Sequence, residues 1–178
     1  NIYEIEKQFK NFIKNIVLII DSDEFLKINI SIKKDNYGDE ITKPKLIHLL
    51  NEAKNECKKT LEGRKITHIV IDNYVVDKKD HLFFPEGIKS EFFSIDVSFV
   101  SLSINYFKNL EKITRKYQVS INRVLQLEYV DSLNKKDKAD LFIISMKILN
   151  GLNRNEVILV PKETRNKGFF ERFFNFFN

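Results

Sequence analysis

Ile16-Val-Leu-Ile-Ile20 and Phe25-Leu-Lys-Ile-Asn-Ile-Ser-Ile-Lys33, separated by Asp21-Ser-Asp-Glu24, decide the fold class. The first is a continuous apolar run, the mark of a buried strand. The second alternates, with Leu26, Ile28, Ile30 and Ile32 on one face and Lys27, Asn29, Ser31 and Lys33 on the other. That is the pattern of a half-buried strand. The polar turn between the two runs predicts that they pair as a hairpin.

Toward the N-terminus, Ile5, Phe9, Phe12 and Ile13 recur at helical spacing and predict a lead-in helix over residues 3–14. Toward the C-terminus, after the loop Asp35–Asp39, Thr42 and Pro44 open a helix. Its apolar stripe is Leu46, Leu50, Ala53 and Cys57, widened by Leu49 and Leu61, and Gly63 is the expected stop. Residues 66–76 alternate as a strand, 78–89 form a loop around Pro85-Glu-Gly87, and 93–102 alternate again. Ser103 can cap a helix carrying Ile104, Phe107, Leu110, Ile113 and Tyr117, and 119–127 gives a last strand.

The order after the lead-in helix is β-β-α-β-β-α-β. It predicts an α+β fold, a two-layer arrangement with two helices on one face of a mixed or antiparallel sheet, over residues 1–130. Residues 131–137, Asp-Ser-Leu-Asn-Lys-Lys-Asp, mark a boundary. A helix-strand extension follows over 131–161: Asp137 caps a helix to Asn150 bearing Leu141, Ile144, Ile148 and Leu152, Gly151 stops it, and 156–160 is strand-like up to Pro161. Residues 162–178 are a basic linker and a terminal helix.

That terminal stretch, Gly168-Phe-Phe-Glu-Arg-Phe-Phe-Asn-Phe-Phe-Asn178, carries the clearest functional signal. On a helix, Phe169, Phe170, Phe173, Phe174, Phe176 and Phe177 fall within about 160° of arc, with Glu171, Arg172, Asn175 and Asn178 opposite. An apolar stripe of this size needs a cover. A lipid headgroup region suits it, with Lys162, Arg165, Lys167 and Arg172 available to anionic lipid. Packing on its own domain, or in a partner's groove, would cover it as well.

The chain has 178 residues and a net charge of +5, with 43% hydrophobic and 31% charged residues, an ordinary globular composition. The lysines are scattered rather than gathered in a stripe, so a nucleic-acid-binding module is the weaker alternative. The single cysteine, Cys57, sits on an apolar helix face as a core residue, and its solitude suits a reducing compartment. No run reaches about 18 apolar residues, so no membrane-spanning helix is expected. His48, His68 and His81 lack metal-ligand spacing, and Asp21, Asp23 and Glu24 lack the glycine and distant glutamate of a Ca²⁺ loop. There is no glycine-rich phosphate cradle, no nucleophile elbow and no nucleophile-base pair. These residues predict a non-enzymatic protein with no catalytic residue, metal or cofactor.

The order of parts from Ile16 to about Leu127 resembles the SHS2-type insert subdomain (1C) of the bacterial cell-division family FtsA. The likeness lies in the paired strand runs, in Ile41-Thr42 opening a helix toward Ala53, and in Tyr74-Val-Val-Asp77, similar to the family's Tyr-x-Ile/Val-Asp. It continues in the loop with Pro85-Glu-Gly87, the strand Ile95–Leu102 with its helix, and Ile121–Leu125, where the chain re-enters the main body. Lys167–Phe177 is similar to the amphipathic membrane-targeting helix that closes that family. The family's glycine-rich ATP loops and second lobe have no counterpart here. The resemblance therefore implies a membrane-tethered adaptor of the cytoplasmic face of the inner membrane, without ATP binding. Its implied partners are anionic lipid and other cell-division proteins, with self-association possible; docking of FtsZ, which the family carries on the second lobe, is put in doubt. The pilus-assembly relatives of the PilM type share the subdomain, and the alternative they suggest is a scaffold subunit whose phenylalanine helix docks on protein. The protein-binding face would be an exposed sheet edge or the surface of helix 104–117.

Overall fold

The structure, a computed structural model, describes residues 2–135 and 139–157 and is α+β. The chain divides into two compact units, Asn1–Leu26 with Gly63–Thr67 and Ser101–Leu152, and Lys27–Glu62 with His68–Val100 and Asn153–Asn178.

The first unit is built on a parallel pair, β1 (Asn15–Ile20) and β6 (Ser120–Gln126), in register from Asn15 opposite Ser120 to Ile20 opposite Gln126, with one irregularity between Ile16 and Val17. Both faces of the pair are covered. Leu18, Ile20, Ile121 and Val124 pack with Phe107 and Leu110 of α3 (Ile104–Arg115). On the other face Val17, Ile19 and Leu125 pack with Val130 of α4 (Leu127–Asn134) and with Ile144 and Ile148 of α5 (Leu141–Leu149). This double coverage is why residues 17–20 are apolar at every position rather than at alternate ones.

The expected hairpin is therefore corrected. β1 pairs with β6, and β2 (Phe25–Asp35) lies in the other sheet. A short polar turn permits a hairpin, but a strand apolar on both sides gains more from a place between two helical layers. The third helix, expected beside the second on one sheet, belongs instead with β1 and β6.

Local signals mostly hold. Ser103 caps α3, its hydroxyl accepting from the Tyr106 N–H at 3.5 Å. Gly151 stops α5 with φ +83, and the Leu152 N–H reaches the Lys147 carbonyl at 3.0 Å. Others shift. The lead-in helix α1 is shorter, Ile2–Phe9, and buries none of its residues. Residues 131–134, expected as part of a boundary, are the end of α4. Asp140 rather than Asp137 caps α5, accepting from the Phe142 N–H at 2.8 Å, and Asp137 lies outside the described residues.

The second unit holds most of a four-stranded sheet in the order β2-β5-β3-β4, where β3 is Arg64–Val76, β4 Lys79–His81 and β5 Phe92–Ser103. Side-chain contacts from Asn29 to Ser98 and from Ser31 to Asp96 run in opposite directions along β2 and β5, the register of antiparallel neighbours. The strand β4 lies where the sequence predicts loop. It is formed by a tight hairpin whose Asp77 and Lys78 both take positive φ, +47 and +69, the backbone a two-residue turn requires. The helix α2 (Lys43–Glu56) buries Leu46, Leu49, Leu50 and Ala53, with Cys57 and Leu61 buried after it. Thr42 stands at its N-cap without a side-chain bond, and Gly63 falls beyond the helix end, after a run of turns. Phe93, Ile95, Val97 and Phe99 line the buried face of β5.

The segment Asn153–Val157 is fastened along β3. The Ile71 N–H donates to the Asn155 carbonyl at 3.0 Å and the Val157 N–H to the Ile69 carbonyl at 2.8 Å. Between them His68 Nδ1 meets Glu156 Oε1 at 2.9 Å, with both side chains almost wholly buried. A buried pair of this kind is costly to break, because the remaining polar group loses its partner where water does not replace it. Glu156→Ala is expected to cost about 3 kcal/mol in urea unfolding. A loss within about 1 kcal/mol, the level of an exposed pair, would show that the backbone bonds hold this segment without it.

Candidate interaction surfaces

Asn36 organises the loop after β2. It is buried, its amide donates to the Asp39 carbonyl at 2.5 Å and to Ser90 Oγ at 3.0 Å, and its Oδ1 accepts from Lys45 Nζ at 2.6 Å. Backbone bonds join this loop to residues 87–91: Asn36 N–H to Glu91, Gly38 N–H to Ser90, and Ile41 N–H to Ile88. Tyr37 and Gly38 take positive φ, +54 and +75, to make the turn, and Tyr37 is left largely exposed.

A cleft of about 610 Å³ opens between this loop and α2, floored by Leu49 and Phe93 and walled by Lys34, Tyr37, Pro44, Lys45 and His48. Its size is in the range of ligand pockets. Its cations are already partnered: Lys34 Nζ contacts Glu52 at 2.6 Å and also reaches His48, while Lys45 meets Asp39 at 3.2 Å. The cleft is thus charge-balanced and does not form an anion trap.

The Tyr74–Asp77 stretch has a structural role that periodicity does not show. The Asp77 carboxylate accepts from the N–H groups of Glu91 and Phe92, with Oδ1 at 3.0 and 2.8 Å, tying the β3–β4 turn to the start of β5. Tyr74 is buried with its ring centroid 5.9 Å from that of Phe84. Burial pushes its phenol up to about 12. Desolvation, then the neighbouring Glu56, raises the Cys57 thiol, so it is a protonated core thiol rather than an activated nucleophile.

On the outer face of the sheet, the Ser98 hydroxyl bonds Asn29 Oδ1 at 2.8 Å and Asp72, and Ser31 donates to Asp96 at 2.5 Å. Among the described residues no group of three or more His, Cys, Asp and Glu side chains is placed to hold a metal. His48, His68 and His81 are dispersed over α2, β3 and β4.

In the first unit, apolar side chains remain uncovered. Phe142, Ile143 and Met146 of α5 are exposed, as are Phe9 and Phe12 at and after the end of α1. The helix 104–117 surface, one of the two faces expected to bind protein, presents Ile113 and Tyr117, with Tyr117 stacked edge-on against Tyr3 at 5.8 Å. The other expected face, a sheet edge, is provided by β2, which stands at one end of its sheet. The residues assigned to membrane binding (Phe169, Phe170, Phe173, Phe174, Phe176, Phe177, Lys162, Arg165, Lys167 and Arg172) lie outside the described residues. No helix among the described residues is long and apolar enough to cross a membrane.

No protein-family model matches the chain, and no curated protein matches it.

The Tyr74 phenol gives a pH signature for the second unit. Its neutral form is favoured by folding, so its contribution is fully present below pH 10 and lost as pH rises toward 12, where the unfolded chain has released a proton that the folded chain retains. Urea unfolding across that window should show stability falling with pH. Tyr74→Phe should flatten the fall, and an unchanged slope would place the titrating group elsewhere.

Proposed function

We propose that the chain is a membrane-tethered, non-enzymatic adaptor resembling a reduced FtsA, acting on the cytoplasmic face of the membrane and recruiting division proteins through an SHS2-like second unit. The observation that carries this reading is the parallel pairing of β1 with β6. Between these two neighbouring strands the chain runs out into the second unit over Lys27–Glu62 and His68–Val100, returning to the first at Gly63–Thr67 and from Ser101, so those stretches have the connectivity of segments inserted between β1 and β6. The likeness to the family's insert subdomain then rests on the order of the remaining parts, because the strand runs 16–20 and 25–33 are not paired with each other. The long β5 strand, the helix opened by Thr42 and the Tyr74–Asp77 tie supply parts in the expected order.

The tether is the phenylalanine stripe of 169–177. Each phenylalanine buried in lipid contributes about 1.5–3 kcal/mol, offset by ordering a short helix that is marginal in water. One copy therefore binds reversibly, and an assembly binds firmly. The basic residues Lys162, Arg165, Lys167 and Arg172 add attraction to anionic headgroups.

Co-sedimentation of the full chain with vesicles tests this. The chain should pellet with vesicles containing anionic lipid and less with neutral ones. The double substitution Phe173→Asp and Phe174→Asp should leave it in the supernatant with an unchanged circular dichroism spectrum. Pelleting that survives the double substitution would sink the tether. A lipid-indifferent oligomer that the same substitution dissolves would assign the stripe to a protein groove instead.

A further inference from the structure

Within its sheet β2 has a strand neighbour on one side, β5. Among the described residues its outer rim therefore carries a row of backbone N–H and C=O groups without ladder partners. The side chains show the same gap. Phe93, Ile95, Val97 and Phe99 of β5 are each 2% exposed or less, whereas Leu26, Ile28, Ile30 and Ile32 of β2 are half-buried along the strand's full length. A strand's apolar row is closed by neighbours on both flanks, and this one is closed on one.

We propose that the β2 edge is a self-association surface, and that its occupant is β2 of a second copy of this chain, antiparallel, with the two-fold axis at Asn29. The register follows from the residues. With the axis at Asn29, Leu26 stands opposite Ile32 and Ile28 opposite Ile30, each twice, so every aliphatic residue of the row meets another. On the polar face Lys27 meets Ser31, Lys33 meets Phe25, and Asn29 meets itself, so no like charges are directly apposed. An axis at Ile30 sets Lys27 against Lys33 twice, which is destabilising. An axis at Ser31 matches Lys27 with Asp35 but sets Ile28 against Lys34. The strand is thus self-complementary in one register, and the lysines that guard the edge against indiscriminate pairing also select it. This inference goes beyond the adaptor reading and does not depend on lipid; where both hold, each assembly carries two tails.

Disulfide trapping in the full-length chain tests it. Across the axis the two Asn29 Cα atoms lie about 4.5–5.5 Å apart, within disulfide reach. The two Ser31 Cα atoms lie about 14 Å apart, four residues along the strands, and are out of reach. Asn29 is exposed and its neighbour Ser98 keeps Asp72 as a partner, so Asn29→Cys is compatible with the fold. On mild oxidation Asn29→Cys should form a covalent dimer on non-reducing gels, while Ser31→Cys and the unmodified chain, whose Cys57 is buried, stay monomeric. Sedimentation velocity of the unmodified chain should show a concentration-dependent dimer that Asn29→Lys, placing two ammonium groups on the axis, abolishes. A monomer at every concentration, a dimer indifferent to Asn29→Lys, or Ser31→Cys cross-linking as well as Asn29→Cys would overturn the proposal.

Discussion

The parallel contact between β1 and β6 is the constraint on which the first unit depends. Val17, Ile19 and Leu125 face one helical layer and Leu18, Ile20 and Val124 face another, so four consecutive apolar residues of β1 all find cover. Parallel neighbours require a long crossover, and here the crossover contains the entire second sheet. Hydrophobic burial on two faces is non-directional and strong. It selects a partner distant in sequence over the near one that the turn at Asp21–Glu24 would allow.

The second unit is held by a different kind of interaction. Its alternating strands bury one face, and that burial leaves the path of the loops open. Buried or carboxylate hydrogen bonds settle those paths. Asn36 binds the loop after β2 to the chain around Ser90, Asp77 binds the β3–β4 turn to the start of β5, and His68 with Glu156 binds the returning segment to β3. Each satisfies polar groups that would be costly if left unpaired in the interior. Motif-like residues such as Tyr74 and Asp77 are thereby explained by anchoring rather than by chemistry on a ligand.

The same distinction bears on function. Net positive charge does not gather at the described cleft, where lysines are matched by Glu52 and Asp39. Among the described residues, β2 and β4 stand at the ends of the four-stranded sheet, and scattered apolar side chains such as Phe12 and Phe142 are exposed.

The sequence by itself determined the periodic class of the main elements and, for α2 and the first half of β5, which face is buried, but not that the apolar positions of α1 stay exposed. The stripe of α2, the alternation of β2 and β5, the Ser103 cap and the Gly151 stop were all legible, because each depends on neighbours within a few residues. Cys57 was legible as core for the same reason. The tertiary structure alone decided that β1 pairs with β6, that residues 131–134 continue a helix, and that His68 is buried against a glutamate 88 positions away. Periodicity states that a face is covered but not by what. The covering partner is set by closure of segments far apart in the chain, where burial and hydrogen-bond satisfaction are settled together.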